Sequence, residues 1–215
     1  MATSQRKGLP VFWSTAIAKV LVGEQPCYLA PWLAGHHEFD KRVRDQSSLT
    51  IWKANHTEQL TAVVERFRAE GWKCDVERFF KVAGQTAIVS GKADLIAQQP
   101  NKRPLIVDVK SGQPKESDIA QVALEMITIP MAWNSPDMIF DGQVIYSTHS
   151  VNVTRSDADA LRPKLFALLK KLAIMPRPEA SPSQSSCRFC DVPDEECGSR
   201  WIEHAEAATV TTSFF

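Results

Sequence analysis

The chain has 215 residues, and its 25 lysine and arginine residues balance its 25 aspartate and glutamate residues. A formal net charge of zero neither favours nor excludes nucleic acid as a partner, so any basic footprint has to be local. The apolar fraction of 44% suits a soluble globular protein, and no apolar run approaches the ~20 residues of a membrane span. No apolar signal region follows the N-terminus, which predicts a cytoplasmic protein with no membrane partner.

The first half of the chain is predicted to contain two helices. Residues 14–23 predict a short helix with Ser14 as its N-cap. Residues 48–70 predict a longer helix that stops at Gly71, because apolar residues recur there at spacings of three and four. The members of this stripe are Trp52, His56, Leu60, Val63 and Phe67. His56 is therefore a titratable ring on an otherwise apolar face.

Three strands are predicted next. Residues 72–82 read as a strand that leads into a hairpin formed by residues 86–96 and 104–112. The segment between these last two runs contains Pro and Asn, as turns often do.

The hairpin brings like charges together if it is symmetric about Asn101. Asp94 then lies opposite Asp108, and Lys92 lies opposite Lys110. Side chains alternate along a strand, so Asp108 and Lys110 share one face while the apolar residues between them share the other. Opposed carboxylates destabilise a sheet, which suggests that a cation lies between them. The alternative is a solvated charged face on which the lysines are salt-bridge partners.

The remaining elements complete an α/β pattern. Residues 115–129 predict a helix that Pro130 ends or kinks, and residues 142–154 predict one or two strands. A last helix is predicted to start at Ser156, with a capping box completed by Asp159. The order of elements predicts an α/β fold with a small mixed sheet.

The cysteines are unevenly distributed. Cys187, Cys190 and Cys197 form a C-x2-C-x6-C cluster near the end of the chain. An odd count of five without a signal peptide argues against a disulfide framework and favours thiolate ligation of a metal or an iron–sulfur centre. Spacing leaves both the identity of the centre, zinc or a cluster, and its fourth ligand open. The candidates for that ligand are Cys27, Cys74 and His204.

Several of these residues follow the order of a known nuclease pattern. In chain order they are His56, Glu77, Gly91-Lys-Ala-Asp94, Asp108-Val-Lys110 and Gln121. This order resembles the PD-(D/E)xK nuclease superfamily, and within it the RecB-like branch, whose pattern is His, G-x-x-D, D/E-x-K and Q-x-x-x-Y. The resemblance covers roughly residues 12–201. The chain departs from the pattern at Glu125, which stands where the family has tyrosine.

The resemblance implies a metal-dependent DNA nuclease. It implies that Mg²⁺ or Mn²⁺ is bound by His56, Asp94, Asp108 and the carbonyl of Val109. It further implies that Lys110 is the catalytic lysine and that Gln121 contacts DNA or supports the site. The implied fold is a restriction-endonuclease-like core, an α/β fold whose central mixed sheet is flanked by helices.

A cluster-bearing subset of the branch matches the cysteines as well. It carries one cysteine before the nuclease core and three after it, which together bind a 4Fe–4S cluster. By that resemblance the cluster ligands are Cys27, Cys187, Cys190 and Cys197. The final gap of six residues is one longer than the family's five. The cluster would join the segments 14–32 and 186–201 within a single nuclease domain, 1–204, followed by a loose tail, 205–215.

Among cluster-bearing relatives, the compact length and the lack of helicase motifs make the chain most similar to the fourth CRISPR-associated (Cas) protein family. The implied activity is an exonuclease that acts on single-stranded DNA or overhangs in CRISPR spacer acquisition, with the Cas integrase complex as a partner. A phage or DNA-repair exonuclease of the same branch is the alternative. A catalytically weak DNA-binding or scaffold member of the family is a further one.

Overall fold

The computed structural model describes residues 3–42 and 46–201. The predicted tail and the candidate ligand His204 therefore lie outside the described residues, and the predicted domain bounds stay a prediction. The elements are, in chain order, β1 (Ser4–Gln5), β2 (Val11–Trp13), α1 (Ser14–Leu21), α2 (Leu29–His36), β3 (His37–Glu38), α3 (Gln46–Ala69), β4 (Lys73–Ala83), β5 (Ile88–Gln98), β6 (Leu105–Lys110), α4 (Glu116–Ala132), β7 (Asp141–Tyr146), β8 (Ser150–Val153), α5 (Arg155–Ile174), α6 (Gln184–Arg188) and α7 (Asp194–Cys197).

A six-stranded mixed sheet lies at the centre of the molecule, with helices packed on it. β4 runs antiparallel along the whole of one edge of β5. The other edge of β5 pairs first with β2, in parallel, and then with β6, antiparallel. β7 continues the sheet in parallel with β6, and β8 closes it antiparallel to β7. The expected α/β architecture with a helix-flanked mixed sheet is confirmed.

Three apolar clusters hold the helices in place. The largest joins the sheet to residues of α1, α4 and α5, and a second joins it to the apolar face of α3. The third lies around α2 and contains Cys27, with Cys190 and Cys197 packed against it. None of the helices in the described ranges is long and apolar enough to cross a membrane.

The helix ends differ in detail from the sequence predictions. α5 begins at Arg155, because the capping box is formed by Thr154 and Asp157 rather than by residues 156 and 159. Thr154 N–H donates to the carboxylate of Asp157 at 2.7 Å, and Thr154 Oγ1 accepts from Asp157 N–H at 3.3 Å. Ser14 is not an N-cap, since it is the first helical residue and makes no capping bond. Pro130 lies inside α4 and does not end it.

The predicted hairpin register is correct, but its ladder is shorter than expected. Leu95 pairs with Val107, and the two following pairs keep the same symmetry about Asn101. Pairing stops one position before Asp94 and Asp108, so Lys92 and Lys110 are not cross-strand partners. Lys92 instead pairs with Phe79 on β4.

Candidate metal centre

The G-x-x-D motif occupies the point where β5 changes partner. Ile88 to Ser90 pair with β2, and Leu95 to Ala97 pair with β6 on the same edge. Residues 91–94 lie in the gap between these two partners. Strand ends that separate in this way leave a crevice in an α/β sheet, and such crevices are common binding places.

Gly91 is required by close packing at this gap. A Cβ atom at Gly91 would lie 2.4 Å from Ser14 Oγ and 2.5 Å from Phe80 Cζ, both too short for real contacts. Ser14 is buried at the start of α1, so the N-terminal helix packs directly on the motif. Gly91, the first residue of G-x-x-D, thus has a steric role, whereas Asp94, the last residue, is the one that can bind a cation.

Asp94 takes the place of a missing backbone partner for β6. Its Oδ2 accepts the Val109 N–H at 2.9 Å and lies 3.2 Å from His56 Nε2. The hydrogen bond with Asp94 is the main reason that the pKa of His56 is raised above its ordinary value. A single carboxylate oxygen therefore connects α3, β5 and β6.

Glu77, on the neighbouring strand β4, has an unusual backbone conformation. It is the β4 residue facing Asp94, and this is the position that the β4–β5 ladder omits. Its φ of 51° lies in the left-handed region, where a glutamate is strained. The apolar side chains of β4 and β5 change from one face of the sheet to the other at this position. Val76 and Leu95 pack in the cluster under α3, whereas Phe80 and Ala93 pack in the cluster that contains α1, α4 and α5. No sequence signal predicts this break in alternation.

Asp108 and Lys110 form an ion pair on the adjacent strand, in which the Asp108 side chain is buried and that of Lys110 is 25% exposed. Lys110 Nζ donates to Asp108 Oδ1 at 3.0 Å and lies 2.8 Å from Oδ2. Burial raises the pKa of Asp108 to about 7, and the nearby charge of Asp94 acts in the same direction, although Lys110 opposes both. Burial alone would lower the pKa of Lys110, but the carboxylates around it outweigh that effect and raise it.

Gln121 and Glu125 extend this network into α4. Gln121 Nε2 donates to Asp108 Oδ1 at 3.1 Å and to Glu125 Oε1 at 3.2 Å, and its Oε1 accepts from Lys110 Nζ at 3.3 Å. Glu125 is 0% exposed, and its Oε2 has no hydrogen-bond partner among the described residues. Burial, followed by the charge of Asp108, raises its pKa well above the ordinary value. Sequence reasoning noted Glu125 only as a departure from a pattern, because its burial depends on the packing of α4.

The structure brings the predicted site residues into one connected group. The bonds form two sets, His56 with Asp94 and the Val109 N–H, and Asp108 with Lys110 and Gln121, which meet on β6 because Val109 stands between Asp108 and Lys110. The described ranges contain no set of three or more His, Cys, Asp or Glu side chains at metal-binding spacing. The donor chemistry nevertheless fits a divalent cation, since Asp94 and Asp108 supply carboxylate oxygens and Asp108 Oδ2 has the Lys110 ammonium 2.8 Å away but no hydrogen bond of regular geometry.

The cysteines separate into a group of four and one outlier. Cys27, Cys187, Cys190 and Cys197 line one small pocket beside α2. Cys74 packs in the cluster under α3, where its thiol points toward the carbonyls of Val64 and Trp72. Of the candidates for a fourth ligand in the described ranges, Cys27 is thus the one beside the triplet.

The segment that carries the triplet is held by Arg200. Its guanidinium donates to the Cys187 carbonyl at 3.2 Å and also contacts the Val192 carbonyl and Asp194. The Trp201 N–H donates to Cys187 Sγ at 3.4 Å. Burial raises the pKa of the Cys190 thiol, so in the absence of a cation this thiol stays protonated.

Comparisons with known proteins give little to add. No family model matches the chain, and no curated protein matches it. A solved structure described as "Crystal structure of SSO0001" is similar at 15% identity with a TM-score of 0.46, over 87% of this chain and 85% of that one.

Proposed function

We propose that this protein is a Mg²⁺- or Mn²⁺-dependent deoxyribonuclease that hydrolyses phosphodiester bonds at the ends of single-stranded DNA or overhangs. The observation that carries the proposal is the placement of Asp94, which accepts the Val109 N–H at the gap in β5, beside the bonded set of Asp108, Lys110 and Gln121. Two carboxylates beside a lysine suit a divalent cation and a phosphate placed next to each other. The resemblance of these residues to the RecB-like pattern supports DNA as the substrate.

The metal ion would be held by His56, Asp94 and Asp108, with the Val109 carbonyl as a further ligand. When bound, such an ion supplies Lewis-acid polarisation of the phosphodiester and a water of lowered pKa. His56 and Asp108 both have a raised pKa, so a cation would bind here in exchange for the protons that they hold. The Val109 N–H and Gln121 fix the orientation of the two aspartates before any ion arrives.

Lys110 has the task of orienting the attacking water and offsetting charge on the phosphate. Its Nζ is held between Asp108 and the side-chain oxygen of Gln121, which restricts a flexible side chain to one place. This preorganisation matters because a misplaced catalytic group loses much of its effect. Gln121 therefore supports the reaction through Lys110 and Asp108.

A structural 4Fe–4S cluster held by Cys27, Cys187, Cys190 and Cys197 completes the proposal. The four thiols around one pocket support this ligand set. Purified protein should show broad visible absorbance together with iron and sulfide. Cys27→Ala should bleach the colour and destabilise the fold, while the matched variant Cys74→Ala should keep the colour. Zinc in a colourless sample would favour a structural zinc site instead.

The deciding experiment is digestion of an end-labelled single strand with Mg²⁺ or Mn²⁺. Asp108→Asn and Lys110→Met should each reduce cleavage to background, whereas EDTA should abolish it in the unaltered protein. Lys92→Met is the matched control, since the Lys92 side chain forms its ion pair with Glu77 on the neighbouring strand. Cleavage that survives Lys110→Met overturns the proposal, and DNA binding without turnover favours the scaffold role.

The resemblance to the fourth CRISPR-associated family supports a role in trimming prespacers for the Cas integrase. Phage or repair functions use the same chemistry, so the site alone does not separate them. Retention of the integrase complex on the immobilised protein would support the first role, and its absence would favour the other two.

A further inference from the structure

An exposed tryptophan lies beside the candidate metal centre. Trp52 is 54% exposed near the start of α3, and Ile51 next to it is 63% exposed. Large aromatic side chains are among the most buried on average, so an exposed indole next to a polar site calls for a partner. Lys53, the following residue, is exposed as well and adds a positive charge to the same surface.

Trp52 is connected to the site through His56. The two rings stack with their centroids 5.5 Å apart and an angle of 26° between their planes. His56 Nε2 in turn lies 3.2 Å from Asp94 Oδ2. Two contacts thus separate the indole from a carboxylate that would hold the metal ion, and a base adjoining a phosphate at Asp94 is within reach of the ring.

We propose that Trp52 is a stacking platform for an unpaired base of the strand whose phosphodiester lies at Asp94 and Asp108. This inference rests on the proposed function and specifies which substrate the site accepts. Every base has an aromatic face, so stacking is tolerant of sequence. In a duplex that face is covered by neighbouring pairs, so the platform selects single-stranded DNA or a frayed end.

The occupant follows from what lies around the indole. A basic residue that tracks the backbone and an exposed ring that stacks a base are the features that single-strand grooves combine, and Lys53 and Trp52 supply them next to the proposed phosphate position. A protein partner could also pack on the Trp52 indole, but such packing would not require the indole to stack on His56.

Binding to two labelled strands of equal length, an oligothymidylate and an abasic strand, tests the proposal in EDTA, where no cleavage occurs. The unaltered protein should prefer the oligothymidylate. Trp52→Leu should bind it ~5- to 150-fold more weakly, corresponding to one stacked base, and should lose the preference for bases. Trp52→Phe should keep part of it. Phe166→Leu, which alters a ring 45% exposed on α5, is the matched control and should behave as the unaltered protein.

Equal affinity of the unaltered protein for the two strands overturns the proposal. So does unchanged DNA affinity in Trp52→Leu, which is the result expected if the ring serves a protein partner. If Trp52 only holds His56, the variant lowers kcat without raising KM, which also overturns it. Base-dependent binding that is lost in Trp52→Leu, in a protein with no metal-dependent cleavage, would refute the nuclease proposal while keeping Trp52 as the residue that stacks on a base.

Discussion

Glu125 gives the sharpest prediction about stability. Its carboxyl is fully buried with one oxygen unbonded, and its pKa is well above the ordinary value. Glu125→Gln keeps an oxygen that accepts from Gln121 but removes the titration. Because the pKa is raised in the folded protein, folded Glu125 holds a proton that the unfolded chain releases above a pH of about 4.3. Stability is thus lost as pH rises from there to the folded pKa.

The expected size follows from proton linkage. Over that window the difference in the free energy of unfolding between Glu125→Gln and the unaltered protein should widen by up to about 1.4 kcal/mol per pH unit, in favour of the variant. It should then become constant above the folded pKa. Coupling to Asp108, which also titrates near neutrality, spreads the change over a broader range.

Urea unfolding in EDTA at several pH values between about 5 and 8 measures this difference. Glu116→Gln is the matched control, because it removes a glutamate from an exposed position on the same helix. Parallel curves for Glu125→Gln and the unaltered protein would refute the reasoning, since they would mean that Glu125 ionises equally in both states. Glu125→Met removes the acceptor as well, and should slow cleavage by releasing Gln121.

Three further predictions concern separate parts of the molecule. Mn²⁺ affinity, measured by calorimetry, should rise with pH through neutrality, by about tenfold per pH unit for each proton displaced, because the ion competes with the protons on Asp108 and His56; a pH-independent affinity would contradict this. Thr154→Ala should lower the free energy of unfolding by about 1 kcal/mol through loss of the α5 cap, whereas Ser156→Ala should not. Gly91→Ala should destabilise the fold by about 1–3 kcal/mol, because the methyl group meets Ser14 and Phe80; an unchanged melting temperature would refute the packing argument.

The sequence predicted the hairpin and most helices because their signals are local. The apolar stripe of α3, the stop at Gly71 and the symmetry about Asn101 all depend on neighbours within a few residues. The sequence also predicted which chemistry-bearing residues belong together, through their order. It did not predict that β5 changes partner, since that depends on β2, which is some 80 residues away in the chain.

The features that sequence reasoning missed depend on long-range packing. Glu77 has an ordinary strand pattern around it, and only the break in the ladder gives it a strained backbone. Glu125 lies on a helix that is buried along most of its length, so no period in the sequence marks this carboxylate as buried. The capping box of α5 was placed two residues too late because two S/T-x-x-D patterns overlap, and only the helix start distinguishes them.

Asp94 Oδ2 accepts the Val109 N–H, so a carboxylate that would hold the metal ion also satisfies a backbone donor of β6. Removing the Asp94 carboxylate would leave a buried donor without a partner, and such a loss costs about 1–3 kcal/mol. An inactive Asp94→Ala protein would therefore be damaged twice, in its scaffold and in its reactivity. Asp94→Asn, which keeps an acceptor oxygen while losing the charge, is the substitution that isolates the second effect. The Lys110 ammonium group satisfies no backbone group, because among the described residues it bonds only to side chains of the site.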